Sequence, residues 1–137
     1  MVKGLIRNIL VPCNKRFYDI DRALSELKEI HYRQYIGVQP GAIAYIYVGA
    51  PFEKALVYAC KVIQVDERDN LIDDDKYSRD PYALNTLHEP HMRLRVIKKL
   101  DSSKFTYKTL RENGLESCMQ GQCFVPDELQ KYIDKNI

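Results

Sequence analysis

No stretch of the chain approaches the ~18 consecutive apolar residues that a membrane-spanning helix needs. The opening, Met1-Val2-Lys3-Gly4-Leu5-Ile6-Arg7, holds no apolar segment of the kind that precedes secretory cleavage. These absences argue against a membrane or secreted protein, and a cytoplasmic one is expected. Charge of one sign is also missing: 21 basic and 19 acidic side chains leave a net charge of +2. A polybasic coat is excluded, while a local basic face stays open. The six glycines are scattered and form neither a dinucleotide fingerprint nor a phosphate loop. Asp66, Glu67, Asp69 and Asp73–Asp75 cluster without the spacing, central glycine or terminal glutamate of a calcium loop, and read as a solvated acidic loop. Four cysteines in a chain without an export signal are expected to be reduced thiols, not a disulfide framework.

What remains is 137 residues, 45% hydrophobic and 29% charged, with no repeat or dividing linker, and so one globular domain over residues 1–137. Leu5–Val11 reads as a strand that stops at Pro12. Phe17–Ile30 places Ile20, Ala23, Leu24, Leu27 and Ile30 on one face at helical period, with Asp19 or Asp21 as cap. Pro40-Gly41 is a turn before the β-rich run Ala42–Gly49. Ala55–Val65 follows as a strand with Leu56, Tyr58, Cys60 and Val62 on one face and Val57, Ala59, Lys61 and Ile63 on the other. Asp66–Pro90 is expected to be a surface excursion. His91–Leu100 alternates as a half-exposed strand, Thr106–Asn113 is a short helix closed by Gly114, and Pro126 opens a last helix over Asp127–Ile133. Short strands and helices without βαβ alternation predict an α+β fold on a small, mostly antiparallel barrel.

Several chemistries can be weighed from residue types. Cys13, Cys60, Cys118 and Cys123 stand in no nucleophile motif beside His31, His88 or His91, and are expected to pack. His88-x2-His91 and Cys118-x4-Cys123 lack a compact zinc spacing, so no metal and no cofactor are expected. More informative are Tyr18, Tyr32, Tyr35, Tyr45, Tyr47 and Phe52, interleaved with Asn14, Gln34, Gln39, Lys15, Arg16 and Arg33. Aromatic faces stack on bases, amides read base edges and cations hold phosphates. Tyr45 and Tyr47 also suit plain core packing.

The order of motifs resembles the EVE-like branch of the PUA-like superfamily. The resemblance is carried by Ile9-Leu10-Val11-Pro12-Cys13-Asn14, Tyr18-Asp19, Ile30-His31-Tyr32-Arg33-Gln34 and Pro40-Gly41 through Ala50-Pro51. In the second half it is carried by Met92-Arg93-Leu94, Tyr107 to Leu115, Gln120-Gly121-Gln122 and Val125 to Ile133. It implies a PUA-like pseudo-barrel flanked by short helices. It also implies a non-enzymatic reader of a flipped, modified base, modified cytosine in DNA before modified RNA, tied to modification-dependent restriction with a separate partner nuclease. Carried over by position, the base-binding set is Asn14, Tyr18, Tyr32, Gln34, Tyr47, Gly49, Gln120 and Gln122. Lys15, Arg16, Arg33 and Arg93, with Arg95 beside them, would hold flanking phosphates. Tyr32 stands where relatives commonly have Trp, Ala42 where they have Asp, and His91 where they tend to have Tyr, which leaves the fold intact and bears on ligand identity.

On this reading Tyr32→Ala removes base binding and leaves folding intact. The competing readings are an RNA-binding PUA-like module, a cysteine- or metal-dependent protein, and a protein-interaction module without a base ligand.

Overall fold

The computed structural model describes residues 6–68, 77–78 and 89–137. Most of the expected Asp66–Pro90 excursion, together with Leu5 and His88, lies outside the described residues. The elements are β1 (Ile9–Cys13), α1 (Ile20–Glu26), β2 (Glu29–Arg33), β3 (Ile43–Val48), β4 (Ala55–Glu67), β5 (His91–Lys99), a 3-10 turn (Ser102–Lys104), α2 (Tyr107–Glu112), β6 (Cys123–Phe124) and α3 (Asp127–Asn136). The strands form one open sheet in the order β2-β5-β4-β3-β1-β6. All neighbours are antiparallel except β1 and β3. The fold is α+β, as expected, with the sheet not closed into a barrel.

Three local expectations fail, each for a physical reason. The helix predicted over Phe17–Ile30 lasts only from Ile20 to Glu26, and Leu27 is already extended at φ −113° and ψ 143°. Ile30 satisfies the helical period of Ile20, Ala23 and Leu24, but it lies in β2 opposite Leu94 of β5. The β-branched and aromatic run Ile30 to Tyr32 gains more from cross-strand pairing than from another helical turn. Asp19 caps the helix as expected, its carboxylate accepting from the Arg22 N–H at 3.2 Å.

Second, β1 runs through Pro12 to Cys13, with Pro12 opposite Tyr47 of β3. The missing N–H is tolerated because β6 pairs only with Ile9 and Leu10, so Pro12 has a ladder neighbour on one side alone. Its carbonyl accepts from the Tyr32 hydroxyl on the other side. Backbone N–H and C=O of one strand residue point the same way, so the absent donor faces the gap and not β3.

Third, β4 does not alternate evenly. The register steps from Ile46↔Tyr58 to Tyr47↔Leu56, which leaves Val57 as the extra residue of a bulge. Val57 and Tyr58 therefore both join the core on one side of the sheet, while Leu56 joins the core on the other.

Two apolar cores result. The first fills one side of the sheet with Val11, Cys13, Ile46, Cys60, Met92 and Leu94 under Ile20, Ala23 and Leu24 of α1. The second lies on the other side, where Leu10, Tyr45, Tyr47 and Leu56 meet Leu110 of α2 and Leu129 and Ile133 of α3. Both later helices form near their expected places. The Thr106 hydroxyl accepts from the Thr109 N–H at the start of α2, and Gly114 ends it at φ +108°, where only glycine is relaxed. Pro126 is the N-cap of α3, which continues past the expected Ile133 to Asn136.

Candidate functional site

The two edge strands of the open sheet, β2 and β6, share no ladder. Side chains bridge the gap between them instead. The Tyr32 hydroxyl donates to the Pro12 carbonyl at 2.7 Å. The Gln122 amide donates to the Arg33 carbonyl at 2.6 Å and accepts from the Tyr35 N–H at 3.0 Å. A primary amide carries the same donor and acceptor as a peptide group, so Gln122 acts as one residue of the missing strand. Replacing it with alanine leaves both backbone groups without a protein partner. Gln122→Ala is expected to lower stability by about 1–2 kcal/mol, with Gln122→Glu losing only the donor half, as read by urea denaturation. Equal midpoints for the two variants and the parent would show that the bridge contributes nothing.

Two aromatic rings meet along this seam, and Gln34 turns away from it toward β4. The Tyr18 ring meets the Tyr32 ring edge-on, 6.1 Å between centroids and 78° between planes. Burial pushes the Tyr32 hydroxyl well above the ordinary tyrosine value, and the neighbouring Cys13 thiol adds to it. Burial also raises the Cys13 thiol to about 11, and that of Cys60 to about 12. Neither thiol is set up as a nucleophile. Gln34 accepts from the Asp66 N–H at 2.9 Å and donates to the Ile36 carbonyl at 3.2 Å. Its own N–H donates to the Pro90 carbonyl at 3.0 Å.

The cations divide into engaged and exposed. Lys15 ion-pairs with Asp21 at 2.7 Å and Glu53 at 2.9 Å, and its side chain is only 14% exposed. Arg93 donates twice to Glu67, at 2.9 and 2.8 Å, and Arg95 donates to Glu29 at 3.0 Å. Arg16 is exposed. Arg33 pairs with Glu89 and lays its guanidinium 4.9 Å from the Tyr35 ring centre. Its Nε–H is buried and has no acceptor among the described residues.

Of the expected base-binding residues, Tyr18, Tyr32 and Gln122 therefore lie along the seam, with Arg33 beside them, while Gln34 turns to Asp66 of β4 and to Ile36. Asn14 shapes the turn after β1, its side chain accepting from the Arg16 N–H at 3.0 Å. Gln120 is exposed on the turn before β6. Tyr47 goes elsewhere: it lies in the second core, 6.2 Å from the Tyr107 ring, on the opposite face of the sheet from Tyr32. Gly49 stays with Tyr47, whose Cε1 lies 3.9 Å from where a Cβ on Gly49 would sit. The reason is the β3 alternation, which sends Ala44, Ile46 and Val48 to one core and Tyr45 and Tyr47 to the other.

One cluster escaped the sequence reading. His31, its side chain only 2% exposed, bonds Glu67 through Nε2 at 2.8 Å, and Glu67 also holds Arg93. The signal was present in two alternating triplets, Glu29, His31, Arg33 and His91, Arg93, Arg95, which the β2–β5 register sets opposite one another. Among the described residues no group of three or more His, Cys, Asp or Glu is placed to hold a metal. No helix among them is long and apolar enough to cross a membrane.

No protein-family model and no curated protein matches the sequence. Solved structures do match the fold. An ASCH protein from Zymomonas mobilis superposes at TM-score 0.67 with 12% identity, covering 96% of each chain. A hypothetical protein from Leishmania major reaches 0.65 with 15% identity, covering 96% of this chain and 94% of that one. Human THYN1, solved in complex with 5-methylcytosine-containing DNA, reaches 0.62 with 10% identity, covering 93% of this chain and 95% of that one. The fold is the PUA-like fold of ASCH and EVE domains, as the motif order implied.

Proposed function

We propose that this PUA-like domain is a non-enzymatic nucleic-acid-binding module. It takes one modified base, modified cytosine in DNA, at the seam between β2 and the β1–β6 edge. The observation that carries the reading is the Tyr18–Tyr32 ring pair beside the Gln122 bridge, at the gap where β2 and the β1–β6 edge share no ladder. Support comes from THYN1, which shares the fold and was solved with 5-methylcytosine DNA.

The energetics are those of base flipping. Extruding a base costs a few kcal/mol of stacking and pairing. Stacking on an aromatic side chain returns about 1–3 kcal/mol. The Gln122 amide carries the paired donor and acceptor that read a base edge. Both are occupied by backbone groups in the free protein, so a base must trade for those bonds. Among the four expected phosphate-binding cations, Arg16 is the exposed one with no carboxylate partner among the described residues, because Lys15, Arg33 and Arg93 are held by carboxylates. Cleavage, where binding leads to restriction, belongs to a partner nuclease.

Fluorescence anisotropy of labelled DNA and RNA oligomers, with and without 5-methylcytosine or 5-hydroxymethylcytosine, tests this at two salt concentrations. Tighter binding to one modified DNA that persists at high salt is expected, because base contacts release no counterions. Equal, purely salt-sensitive or absent binding overturns the modified-base reading, and a preference for RNA overturns the choice of DNA.

A further inference from the structure

The turn between β1 and α1, residues 14–18, closes on itself: the Asn14 carbonyl accepts from the Phe17 and Tyr18 N–H groups at 3.0 and 3.1 Å. From Asn14 to Phe17, Lys15 is the residue whose side chain bonds other elements among the described residues. Its ammonium meets Asp21 of α1 at 2.7 Å and both oxygens of Glu53, in the β3–β4 loop, at 2.9 Å. Asp21 in turn accepts from the Tyr58 hydroxyl of β4 at 2.5 Å. Tyr18 ends the turn, and its ring meets Tyr32 edge-on. We propose that Lys15 is a positioning residue: by tying this turn to α1 and the β3–β4 loop it holds the Tyr18 ring against Tyr32, and it sets the preference for the modified base without touching phosphate. This rests on the modified-base reading above and adds what keeps the aromatic pair in place.

The argument is one of donors and charge. An ammonium has three N–H donors, and one oxygen of Asp21 and two of Glu53 take them. A phosphate oxygen would have to displace a carboxylate already in place. Burial lowers the Lys15 ammonium value, but the hydrogen bonds to Asp21 and Glu53 and the charges of both outweigh it, so the group stays charged. Both carboxylates sit within bonding distance of the one nitrogen. Loss of the ammonium therefore sets two like charges against each other and pushes the turn and α1 away from the loop. On its other flank Tyr18 is held independently: it bridges Ser78, and the Asp19 N–H donates to the carbonyl of Tyr77, itself buried in the first core, at 2.8 Å. Removing Lys15 thus frees one side of the ring pair and takes no member from either core.

The test joins amide hydrogen exchange of Lys15→Met with anisotropy on 5-methylcytosine and unmodified DNA. The Phe17 and Tyr18 amides are expected to exchange faster in the variant than in the parent. The ratio of the two DNA affinities is expected to fall about tenfold, within what one base–aromatic stack contributes. The salt dependence should match the parent's, whereas a lost phosphate contact flattens it by about 0.9 in log–log slope. In a Tyr18→Ala background, Lys15→Met should lower the ratio little further, because both changes act on one ring. A general loss of stability would instead weaken both DNAs alike and add to the Tyr18 effect. Unchanged exchange at Phe17 and Tyr18 overturns the clamp whatever the DNA result. An unchanged affinity ratio, a flattened salt slope or full additivity with Tyr18→Ala overturns the positioning role and leaves the seam reading standing. Should Lys15→Met fail to fold, Glu53→Gln, on a partly exposed side chain, is expected to move exchange and ratio in the same direction, and no change in either overturns the proposal. A parent without preference for the modified DNA overturns the seam reading, and with it the link from Lys15 to base discrimination.

Discussion

Tyr32→Ala is expected to lower stability by about 2–4 kcal/mol as well as to abolish base binding. The sequence alone leaves folding intact in this variant, whereas the structure makes Tyr32 a structural member of the seam it would serve. Its ring packs against the first core, its edge meets Tyr18, and its hydroxyl joins β2 to the Pro12 carbonyl of β1. Tyr32→Phe separates the two roles. It keeps the ring and removes one partly buried hydrogen bond, for a loss of about 1 kcal/mol. Urea denaturation of both variants, followed by modified-DNA anisotropy on the folded fraction, distinguishes them. Tyr32→Phe should retain most of its affinity if the ring is what matters to the base. An alanine variant with the parent's denaturation midpoint would refute the packing account, and a phenylalanine variant without affinity would move the role from the ring to the hydroxyl.

The elements that were legible in the sequence are those whose signals are local. Pro40-Gly41 before β3, the alternation of β5, and Gly114 after α2 each act within a few residues of themselves. The α1–β2 boundary was not legible because Ile30 fits the helical period and the strand equally well, and pairing with Leu94 decides between them. The seam is less legible still. Gln122 bonds Arg33 and Tyr35 across 89 and 87 residues of sequence, and no local pattern reports such a contact. The motif order nevertheless carried the PUA-like fold. It misplaced Tyr47, because alternation along β3 shows that Tyr45 and Tyr47 share a face but not which of the two cores that face meets.

Glu67→Gln is expected to lower stability at neutral pH by about 2 kcal/mol, and to do so less and less as the solution is acidified. The value is discounted from the 3–5 kcal/mol of a fully buried pair because the Arg93 side chain remains 27% exposed. Burial pushes the Glu67 carboxyl up. The hydrogen bonds from Arg93 and His31 and their charges outweigh that and hold it below the ordinary glutamate value. A carboxyl whose folded value is depressed binds fewer protons in the native state than in the unfolded one. Its contribution is therefore complete above the unfolded value of about 4.3 and is lost as pH falls through the lower, folded value. Asp21 and Asp101 are depressed too, so the parent's acid sensitivity is shared among several groups. The gap between the parent and Glu67→Gln isolates Glu67 from them. Urea midpoints of the two proteins should differ most near neutrality and begin to converge as the pH falls below the unfolded value of about 4.3. A gap that stays constant across that window would mean that the glutamine disturbs packing between β4 and β5, and that the charge on Glu67 contributes nothing.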